Sequence, residues 1–381
     1  MMSRLEKLIE ELCPEGVKHI KFKDATIMQR GTSITKAQAT IGDIPVISGG
    51  KEPAFYCDKC NRYGETITVA GSGAGAGYVQ YWDIPIFVND AFSVKGTESV
   101  LTKYVYYFMT SIQTKISDTK KGGGVPHVHI SDIENFIIPL PPLEIQREIV
   151  RILDNFTELT AELTAELTAE LTARKKQYEY YRDELLRFGE EVERKPLSEV
   201  APYSKDRINA SELNCSNYVG VDNLLQNKCG KIDSTCVPKD GNWTKYHKGD
   251  VLIGNIRPYL RKIWLADNDG GANGDVIVCH SKSNLVIDRF LYHILASEEF
   301  FLFDINNSKG AKMPRGDKES IKSFMIPLPS IEEQHRIVSI LDRFDKLCND
   351  ISEGLPAEIE ARQKQYEYYR DKLLTFKPLS E

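Results

Sequence analysis

The segment Gly71–Gly77 contains four glycines and has a composition that could cradle a phosphate group. A dinucleotide-binding loop of this kind needs a helix directly after it and an acidic residue about 20 positions later. Here the following residues, Tyr78–Trp82, have the pattern of a second strand. The sequence therefore predicts a glycine-rich β-hairpin and no bound cofactor.

Two further groups contain residue types that bind metals. Cys57 and Cys60 have the spacing of zinc ligands, but no second pair follows at zinc-finger spacing. His127 and His129 flank Val128 on a predicted strand, where a polar role at a loop edge is favoured over metal ligation. No metal site is therefore predicted. The chain also lacks a Walker loop, a Ser/His/Asp signature and a nuclease-type carboxylate cluster, so no catalytic site is expected.

The strongest pattern in the chain is a repeat at a constant offset of 188 residues. Ile138–Pro141 returns as Ile326–Pro329, and Lys176–Asp183 returns as Lys364–Asp371. Because the offset is constant, nothing has been inserted between these motifs. A fixed period constrains the architecture, and this one predicts a tandem duplication.

Each copy contains a long segment with helical periodicity. From Pro142 to Phe188 the first copy has no internal glycine, and its apolar residues recur at helical spacing. At ~1.5 Å per residue such a helix would be roughly 70 Å long, which is typical of a coiled coil. The predicted coiled-coil core positions are Leu159, Leu163, Leu167 and Leu171. The glutamates between them, Glu162, Glu166 and Glu170, are predicted to form a solvated face.

The second copy should differ in its middle. It extends from Ser330 to Phe376 and contains Gly354–Pro356, which should kink or break the helix. A further trace of the repeat, Lys195–Glu199, returns as Lys377–Glu381. We expect the two units to close with pseudo-two-fold symmetry, with the N- and C-terminal segments close together and the two long helices antiparallel.

Two variable stretches, Val17–Phe136 and Lys195–Phe324, lie between the repeats, and each has the size of one domain. The fold class is therefore α+β, with two small α/β domains separated by two long antiparallel helices. Since the helices repeat and the loops differ, recognition is expected in the loops. The clearest predicted strands are Ile44–Ser48, Thr66–Ala70 and Val251–Ile253, and the predicted helices are Leu101–Ile116 and Asp288–Ile305.

Composition limits the class of protein. The chain has no apolar run of 18 residues and no cationic leader, and its eight cysteines form no disulfide-like framework, so we expect a soluble cytoplasmic protein with no membrane contact. The net charge is −6, yet residues 17–137 contain 13 basic and 11 acidic side chains, and residues 195–325 contain 18 and 16. The two variable stretches are therefore slightly basic, which permits nucleic-acid binding without requiring it.

The repeated Ile-Pro-Leu-Pro motif, followed by a helix that ends in Gln-Tyr-Glu-Tyr-Tyr-Arg-Asp, resembles the specificity subunit of type I restriction-modification systems over essentially the whole chain. The most specific features are Ile138–Asp154 with its copy Ile326–Asp342, and a Thr-Ala-Glu-Leu unit repeated three times over Thr160–Leu171. These three units look like the spacer of the type IC subfamily. An adenine-methyltransferase tetrapeptide is absent, because the nearest match, Asn89–Phe92, lacks both prolines.

This resemblance implies a division of the chain into five parts. Residues 1–16 would be an N-terminal arm, 17–137 and 195–325 two target recognition domains, 138–194 a central helical spacer, and 326–381 a distal helical region. Each recognition domain would read one half of a split site in double-stranded DNA. The repeated helices would dock methyltransferase subunits, two per chain, and a restriction and motor subunit would join through them. The chain itself would select the site, perform no chemistry and need no cofactor.

Base-reading residues must be polar, lie on loops and have phosphate-binding cations nearby. Arg257 is the strongest candidate for a guanine contact, because Pro258 stiffens its loop; an ion pair within its own domain is the alternative. Lys120–Gly124 resembles a flexible phosphate clamp, with a plain solvated loop as the alternative. The first-domain candidates are Ser48, Lys51, Lys59, Arg62, Asn89, Lys120, Lys121, His127 and His129. The second-domain candidates are Asn223, Lys245, Asn255, Arg257, Tyr259, Arg261, Lys262, Lys312 and Arg315.

Two other classes of function stay open. A methyltransferase that carries its own recognition domain, or another stand-alone DNA-modifying enzyme, would transfer labelled methyl groups as the isolated chain. A coiled-coil adaptor unrelated to DNA would fail to bind random duplex at low salt.

Overall fold

The computed structural model describes residues 3–122, 124–282, 284–349 and 354–379. It divides into two compact units: Met1–Ala165 with Glu360–Glu381, and Glu166–Ile359. Each unit therefore combines one variable stretch with parts of both repeated helical segments. Within the described residues, no helix is long and apolar enough to span a membrane.

The elements follow the chain through both units. In the first unit they are α1 (Arg4–Leu12), β1 (Lys18–Lys21), α2 (Phe22–Ala25), β2 (Thr26–Arg30), β3 (Ile44–Ile47), β4 (Phe55–Cys57), β5 (Thr66–Ala70), β6 (Val79–Trp82), β7 (Phe87–Val88), β8 (Ala91–Gly96), α3 (Thr102–Ser111), α4 (Gln113–Asp118), α5 (Ile130–Ile133), β9 (Ile137–Leu140) and the start of α6 (Leu143–Leu185). They continue as β10 (Arg194–Pro196), α7 (Leu197–Val200), β11 (Arg207–Asn209), β12 (Tyr218–Val219), β13 (Asn242–Tyr246), β14 (Val251–Gly254), β15 (Ile263–Leu265), β16 (Gly270–Ala272), β17 (Val276–Cys279), α8 (Asp288–Leu295), α9 (Glu298–Asn306), α10 (Lys318–Lys322), β18 (Met325–Pro327), α11 (Ile331–Asn349) and α12 (Leu355–Leu373).

Each unit contains three small sheets among its described residues. In the first unit the strand orders are β1-β9, β2-β8-β5-β6 and β4-β3-β7, and in the second they are β10-β18, β11-β13-β16-β12 and β15-β14-β17. The predicted strands Thr66–Ala70 and Val251–Ile253 are the central strands β5 and β14. The glycine-rich segment connects β5 to β6 as an antiparallel hairpin, as predicted.

The long repeated helix forms where its periodicity predicts it. Helix α6 has 43 residues and is about 65 Å long. It begins directly after Pro141 and Pro142, a position that suits proline, and ends before Gly189. The second copy is broken as predicted, because α11 ends at Asn349 and α12 begins at Leu355, with Pro356 in its first turn.

Each hydrophobic core includes the first turns of the helix that follows its variable stretch. Ile149 and Leu153 of α6 are fully buried in the first unit, and Ile337 and Leu341 of α11 are fully buried in the second. These pairs are related by the 188-residue offset. Burying each such side chain contributes about 1.5–3 kcal/mol, so the helix starts are integral parts of their units.

Two predicted helices are each divided in two. Leu101–Ile116 forms α3 and α4, separated at Ile112, whose backbone leaves the helical region (φ −110°, ψ 20°). Asp288–Ile305 forms α8 and α9. The cause in the second case is Ser297, whose hydroxyl caps α9 by accepting a hydrogen bond from the Phe300 N–H at 3.2 Å.

The leucine stripe of α6 is only partly a core. Leu167 is buried and Leu163 and Leu171 are half-buried, but Leu159 is 59% exposed, so its predicted core position is wrong. In the first unit α12 runs antiparallel to α6, and the rings of Phe156 and Tyr369 stack with centroids 6.1 Å apart. These large rings keep the two helices apart. A groove remains between the helices beside the rings, and Leu159 lines this groove.

Among the described residues, the N- and C-terminal segments of the chain meet within the first unit, as predicted. The Val17 N–H donates to the Lys377 carbonyl at 2.9 Å, and the Leu379 N–H donates to the Val17 carbonyl at 2.9 Å. The second unit contains the same contact inside a continuous turn, where the Val192 N–H donates to the Gly189 carbonyl at 3.4 Å. Gly189 and Lys377 are related by the 188-residue offset. In the second unit this carbonyl bonds a residue three positions later in the same turn, whereas in the first unit it bonds Val17, which is far away in the sequence.

Candidate nucleic-acid interface

Both units carry a loop built on one plan, which we call the basic loops: Lys121–His127 in the first unit and Lys309–Arg315 in the second. The first and last residues of each loop exchange backbone hydrogen bonds, at 3.0 and 2.8 Å in the first unit and 2.8 and 2.9 Å in the second. The second residues, Gly122 and Gly310, both have positive φ, 114° and 98°, which favours glycine. The two loops are therefore structural equivalents at the 188-residue offset.

In the first unit the basic loop is fastened to the glycine-rich hairpin. The Gly73 N–H donates to the Pro126 carbonyl at 2.9 Å, and the Val128 N–H donates to the Gly71 carbonyl at 3.1 Å. These bonds hold a loop that begins with the exposed Lys121 against the turn that follows the central strand β5.

The second unit repeats this arrangement with arginines. The Arg257 N–H donates to the Pro314 carbonyl at 2.7 Å, and the Gly316 N–H donates to the Asn255 carbonyl at 3.1 Å. The loop that follows the central strand β14 is thus joined to the second basic loop. Because Arg257 and Arg315 are both exposed, two guanidinium groups are presented on one small surface.

The backbone of the Arg257 loop is unusual. Arg257 and Arg261 both have left-handed conformations, with φ of 52° and 49°, and they flank a short 3-10 turn at Pro258–Leu260. Non-glycine residues adopt this conformation at an energetic cost, and such residues are enriched at binding sites. Tyr259 is exposed at the tip of the turn, so the loop projects an aromatic ring beside Arg257.

The first unit places its histidines beside a small cavity. The rings of His127 and His129 are stacked with centroids 5.9 Å apart, and both line a cavity of about 210 Å³ together with Asn89 and Asp90. The predicted strand at these histidines is only an isolated bridge at His127, because His129 starts helix α5. The two imidazoles and the Asn89 side chain therefore line one small cavity.

Lys121 is exposed but has an acidic partner. Its ammonium group bonds the carboxylate of Asp132, which also accepts the His129 backbone N–H at 2.8 Å. Burial opposes ionisation of Asp132, but these hydrogen bonds lower the pKa of its carboxyl. Arg315 is similarly placed 3.4 Å from Asp275. Each of these exposed cations is thus paired with one carboxylate of its own domain. Gly123 in the predicted phosphate clamp lies outside the described residues.

Several first-domain candidates support the loops from inside. Arg62 is buried and donates to Ser93 Oγ at 2.7 Å and to the Arg30 carbonyl at 2.8 Å. Asn89 donates to Ser48 Oγ at 3.0 Å while its Oδ1 accepts the Ile34 N–H at 2.9 Å. The exposed candidates of this domain are Lys51, Lys59, Lys120, Lys121 and His129.

Several second-domain candidates are also bonded within their domain. Arg261 forms a two-bond ion pair with Glu298, and Lys262 Nζ donates to the Val221 carbonyl at 2.7 Å. Asn223 is buried and accepts the Gly220 N–H at 2.8 Å. Asn255 is buried and Lys245 is half-buried. The exposed candidates here are Arg257, Tyr259, Lys312 and Arg315.

A duplicated glutamine joins each variable domain to its helix. Gln146 accepts the Leu101 N–H at 2.9 Å and donates to the Ser99 and Pro141 carbonyls at 3.0 and 2.8 Å. Gln334 repeats these bonds in the second unit, accepting the Ile287 N–H at 3.0 Å and donating to the Leu285 and Pro329 carbonyls at 3.1 and 3.0 Å. Both side chains are fully buried. Neither glutamine is among the residues predicted from the sequence, although the 188-residue offset that relates them is a signal for the pair.

A duplicated aspartate provides a second junction. Asp154 pairs with Lys103 at 2.9 Å and accepts the Tyr107 hydroxyl at 2.6 Å. Asp342 pairs with Arg289 Nε at 2.8 Å and lies 3.0 Å from His293 Nε2.

At the aspartate junction of the second unit, the neighbouring charged groups affect one another's pKa. Burial lowers the pKa of His293. Burial opposes ionisation of Asp342 as well, but its bonds to His293 and Arg289 lower the pKa of the carboxyl. With the glutamine and aspartate contacts together, each variable domain is fixed to the start of one repeated helix.

Two pairs of tyrosines are exposed on the repeated helices. Tyr180 and Tyr181 are 62% and 41% exposed, and Tyr368 and Tyr369 are 63% and 41% exposed. Both pairs have the same edge-to-face geometry, with ring centroids 5.5 and 5.3 Å apart. The same surface is thus present once in each unit, and exposed tyrosine is enriched at protein–protein interfaces.

Among the described residues, Cys57 and Cys60 belong to no group of three or more potential metal ligands. Cys57 is fully buried, and its thiol donates to the Lys59 carbonyl at 3.1 Å. Within the described ranges, the only cluster of three or more potential metal ligands is His247, Asp250 and His280 in the second unit.

Comparisons with known proteins agree with the duplicated fold. A family model described as the type I restriction modification DNA specificity domain matches residues 14–173 and 189–361. The chain is 37% identical to the Escherichia coli EcoR124I/EcoR124II specificity subunit, covering 86% of this chain and 91% of that protein. It is 32% identical to a putative type I restriction enzyme specificity subunit of Haemophilus influenzae, covering 88% and 89%.

Two solved structures share the fold. One chain, from a study of complex assembly and conformational transition in the type I R-M system, matches with a TM-score of 0.65 at 16% identity, covering 95% of this chain and 98% of that one. The HsdS subunit of Thermoanaerobacter tengcongensis matches with a TM-score of 0.51 at 17% identity, covering 96% and 99%. The predicted fold class, α+β with a duplicated plan and long repeated helices, is therefore confirmed.

Proposed function

We propose that this chain, which belongs to the type I restriction-modification specificity subunits, binds a bipartite site in double-stranded DNA and assembles the other subunits of the complex around it. Proteins of this family are the non-catalytic recognition components of restriction-modification complexes, and this chain is one of them. The observation that carries the finer proposal is the pair of basic loops, which puts one cationic surface of the same design in each unit.

Each basic loop suits one half of a split site. Phosphate contacts supply most of the affinity for DNA, while side chains on loops distinguish the bases. In the second unit Lys312 is proposed to contact phosphate, while Arg257 and Arg315 are proposed to make bidentate contacts to guanine. In the first unit Lys120 and Lys121 are proposed to contact phosphate, and His127, His129 and Asn89 line the cavity where a base edge would lie.

The remaining predicted contacts are divided by their exposure. Lys51, Lys59 and Tyr259 are exposed and are proposed to contact DNA directly. The bonded residues are proposed to act through the loops they support: Ser48, Arg62, Asn223, Lys245, Asn255, Arg261 and Lys262. We propose residues 17–137 and 195–325 as the two recognition domains, 1–16 as the arm, and 138–194 and 326–381 as the helical regions that hold them.

The exposed tyrosine pairs are proposed as docking positions for two methyltransferase subunits, one on each unit. Two surfaces with nearly equal exposure and ring geometry fit two copies of one partner better than two different partners. A restriction and motor subunit would then join through the methyltransferases. The seven cysteines whose side chains the structure describes are free thiols, and we propose that the complex acts in the cytoplasm, where its DNA target lies.

The first experiment replaces the basic side chains at one loop at a time. One variant replaces Lys309, Lys312 and Arg315 by alanine, and a second replaces Lys120, Lys121 and His127. In a footprinting assay on the methylated site, each variant should lose protection of a different half-site. The slope of log affinity against log salt should also become shallower by roughly 0.9 for each phosphate that the variant no longer neutralises. A matched control is Lys364→Ala, which removes an exposed lysine that pairs with Glu360 on α12.

The alternatives give different results. If neither half-site changes in either loop variant, the loops are not the DNA surface. A coiled-coil adaptor would show no binding to any duplex at low salt. A stand-alone DNA-modifying enzyme would transfer labelled methyl groups without a partner, whereas we expect methyl transfer only after a methyltransferase subunit is added.

A further inference from the structure

The second unit brings two histidines and one aspartate together at one end of a sheet. Strands β14 and β17 are antiparallel, with Val251 opposite Cys279. The next residues outward, Asp250 and His280, therefore face each other across the two strands. A tight turn adds His247, because the Asp250 N–H donates to the His247 carbonyl at 3.0 Å.

The three side chains converge through the atoms that bind metals. His280 Nδ1 lies 2.6 Å from Asp250 Oδ1, and His247 Nδ1 lies 3.9 Å from Asp250 Oδ2. All three ligand atoms lie within 4.8 Å of one another. The Asp250 side chain is 2% exposed, whereas those of His247 and His280 are 36% and 59% exposed. The carboxylate is thus buried at the base of the cluster, and the two imidazoles lie on its solvent-facing side.

We propose that His247, Asp250 and His280 form a binding site for one divalent transition-metal ion of the zinc class. Two imidazoles and a carboxylate match the ligand preferences of Zn²⁺, Co²⁺ and Ni²⁺, whereas Mg²⁺ and Ca²⁺ prefer oxygen ligands alone. With bonds of about 2.0–2.1 Å, tetrahedral donors lie about 3.3 Å apart. The exposed imidazole of His280 can rotate to open its short contact with Asp250, and the fourth position of the metal faces solvent.

The first unit provides an internal comparison. Glu65 occupies the corresponding place before the central strand β5, and its carboxylate accepts the Tyr81 hydroxyl at 2.7 Å. An acidic residue at the start of the central strand thus serves the first unit without any imidazole. The two histidines are found only beside the acidic residue of the second unit. The first unit shows that an acidic residue at this place can have a structural partner without them.

The proposed metal site and the loop that carries Arg257 lie at opposite ends of strand β14. Strand β14 runs from Val251 to Gly254 and leads at its far end into Asn255 and Arg257. A metal at the near end would connect the His247–Asp250 turn to the end of β17 and stabilise the sheet. Metal binding can therefore be measured on the full chain without DNA, and its outcome is separate from that of the DNA-binding proposal.

The test is equilibrium dialysis of the full chain against Zn²⁺, with Co²⁺ absorption as a second probe of ligand geometry. Cysteine thiols are first blocked with iodoacetamide, because exposed Cys215, Cys229 and Cys236 could also bind zinc. We expect one equivalent of zinc per chain and a melting temperature that rises with zinc concentration. Loss of a second-shell partner typically costs roughly 10–100-fold in metal affinity, so removing a ligand should cost about 100-fold or more.

The variants separate ligation from folding. His247→Ala and His280→Ala should each weaken zinc binding, and the double variant should abolish it, while the melting temperature without metal stays near that of the parent chain. His335→Ala removes an exposed histidine of α11 outside the cluster and should change nothing. Zinc binding of equal strength in the parent chain and both single variants, or no stoichiometric binding by the parent chain, would overturn the site.

Discussion

Gln334→Ala is the sharpest test of how a variable domain is held on its helix. The Gln334 side chain is fully buried and makes three hydrogen bonds, to the Ile287 N–H and to the Leu285 and Pro329 carbonyls. Each such bond contributes roughly 0.5–1.5 kcal/mol net, and the groups left behind stay buried without a partner. We therefore expect the second unit to lose about 2–4 kcal/mol of unfolding free energy.

Amide hydrogen exchange can read this loss at a single site. Because the Ile287 N–H donates to Gln334, its exchange should become roughly 30- to 1,000-fold faster in the variant, as about 1.4 kcal/mol corresponds to tenfold. The Leu101 N–H, which bonds Gln146 in the first unit, should keep its rate. Gln146→Ala should give the reverse result.

Two further variants define the cause. Gln334→Glu keeps the size of the side chain but replaces the amide donor with a carboxylate, so it can no longer donate to the Leu285 and Pro329 carbonyls and should destabilise at least as much as alanine. Gln363→Ala removes an exposed glutamine that bonds Glu367 on its own helix, and should cost less than about 0.5 kcal/mol. An unchanged Ile287 exchange rate in Gln334→Ala, or equal acceleration at Leu101, would refute the assignment of this contact as the junction.

Three other measurements follow from the structure. Arg257→Ala should weaken binding to the cognate duplex by about 1–3 kcal/mol with a much smaller effect on random duplex, while Lys121→Ala should weaken both alike; equal losses for Arg257→Ala on the two duplexes would remove its base contact. Deletion of Thr168–Leu171, one helical turn of ~6 Å, should shorten the gap between half-sites by about one base pair with both half-sites unchanged, which methylome sequencing would reveal. Burial raises the pKa of Asp304 to about 7, so its ionisation opposes folding, and the stability of the second unit should fall as pH rises from about 4 through about 7. Asp304→Asn should remove this decline and be the more stable chain at pH 8 by denaturant titration, and an identical pH profile would contradict a raised pKa.

The regular parts of the fold can be predicted from the sequence because each follows from a local rule. Helix α6 follows from its periodicity and from the absence of glycine, and its ends lie within a few residues of the predicted ones. The central strands β5 and β14 follow from runs of β-branched residues between glycines. The break in the second copy follows from Pro356, since proline is accepted in the first turn of a helix and not in its interior.

The junctions are harder to predict because they depend on partners that are far apart in the sequence. Burial of Arg62 requires the Arg30 carbonyl and Ser93, which lie on two paired strands, and no local pattern indicates that these groups converge. An arginine on a glycine-bounded loop has the same sequence signature whether it faces DNA or its own domain. The exposed Leu159 shows the same limit, because its surroundings depend on which residues of α12 face it.

The duplication explains why one side of each junction between a variable domain and its helix can be predicted from the sequence and the other side cannot. Gln146 and Gln334, and Asp154 and Asp342, keep the 188-residue offset because they lie on the repeated helices. Their partners have diverged: Lys103 and Tyr107 become Arg289 and His293, at an offset of 186.

A search at a constant offset therefore finds the helix side of each junction and misses the domain side. The geometry survives because an aspartate accepts equally from an ammonium, a guanidinium, a hydroxyl or an imidazole. The helices must present the same acceptor at the same place, while each variable domain needs only to supply a donor. This asymmetry lets a variable domain change its loops and its sequence without losing its position on the helix.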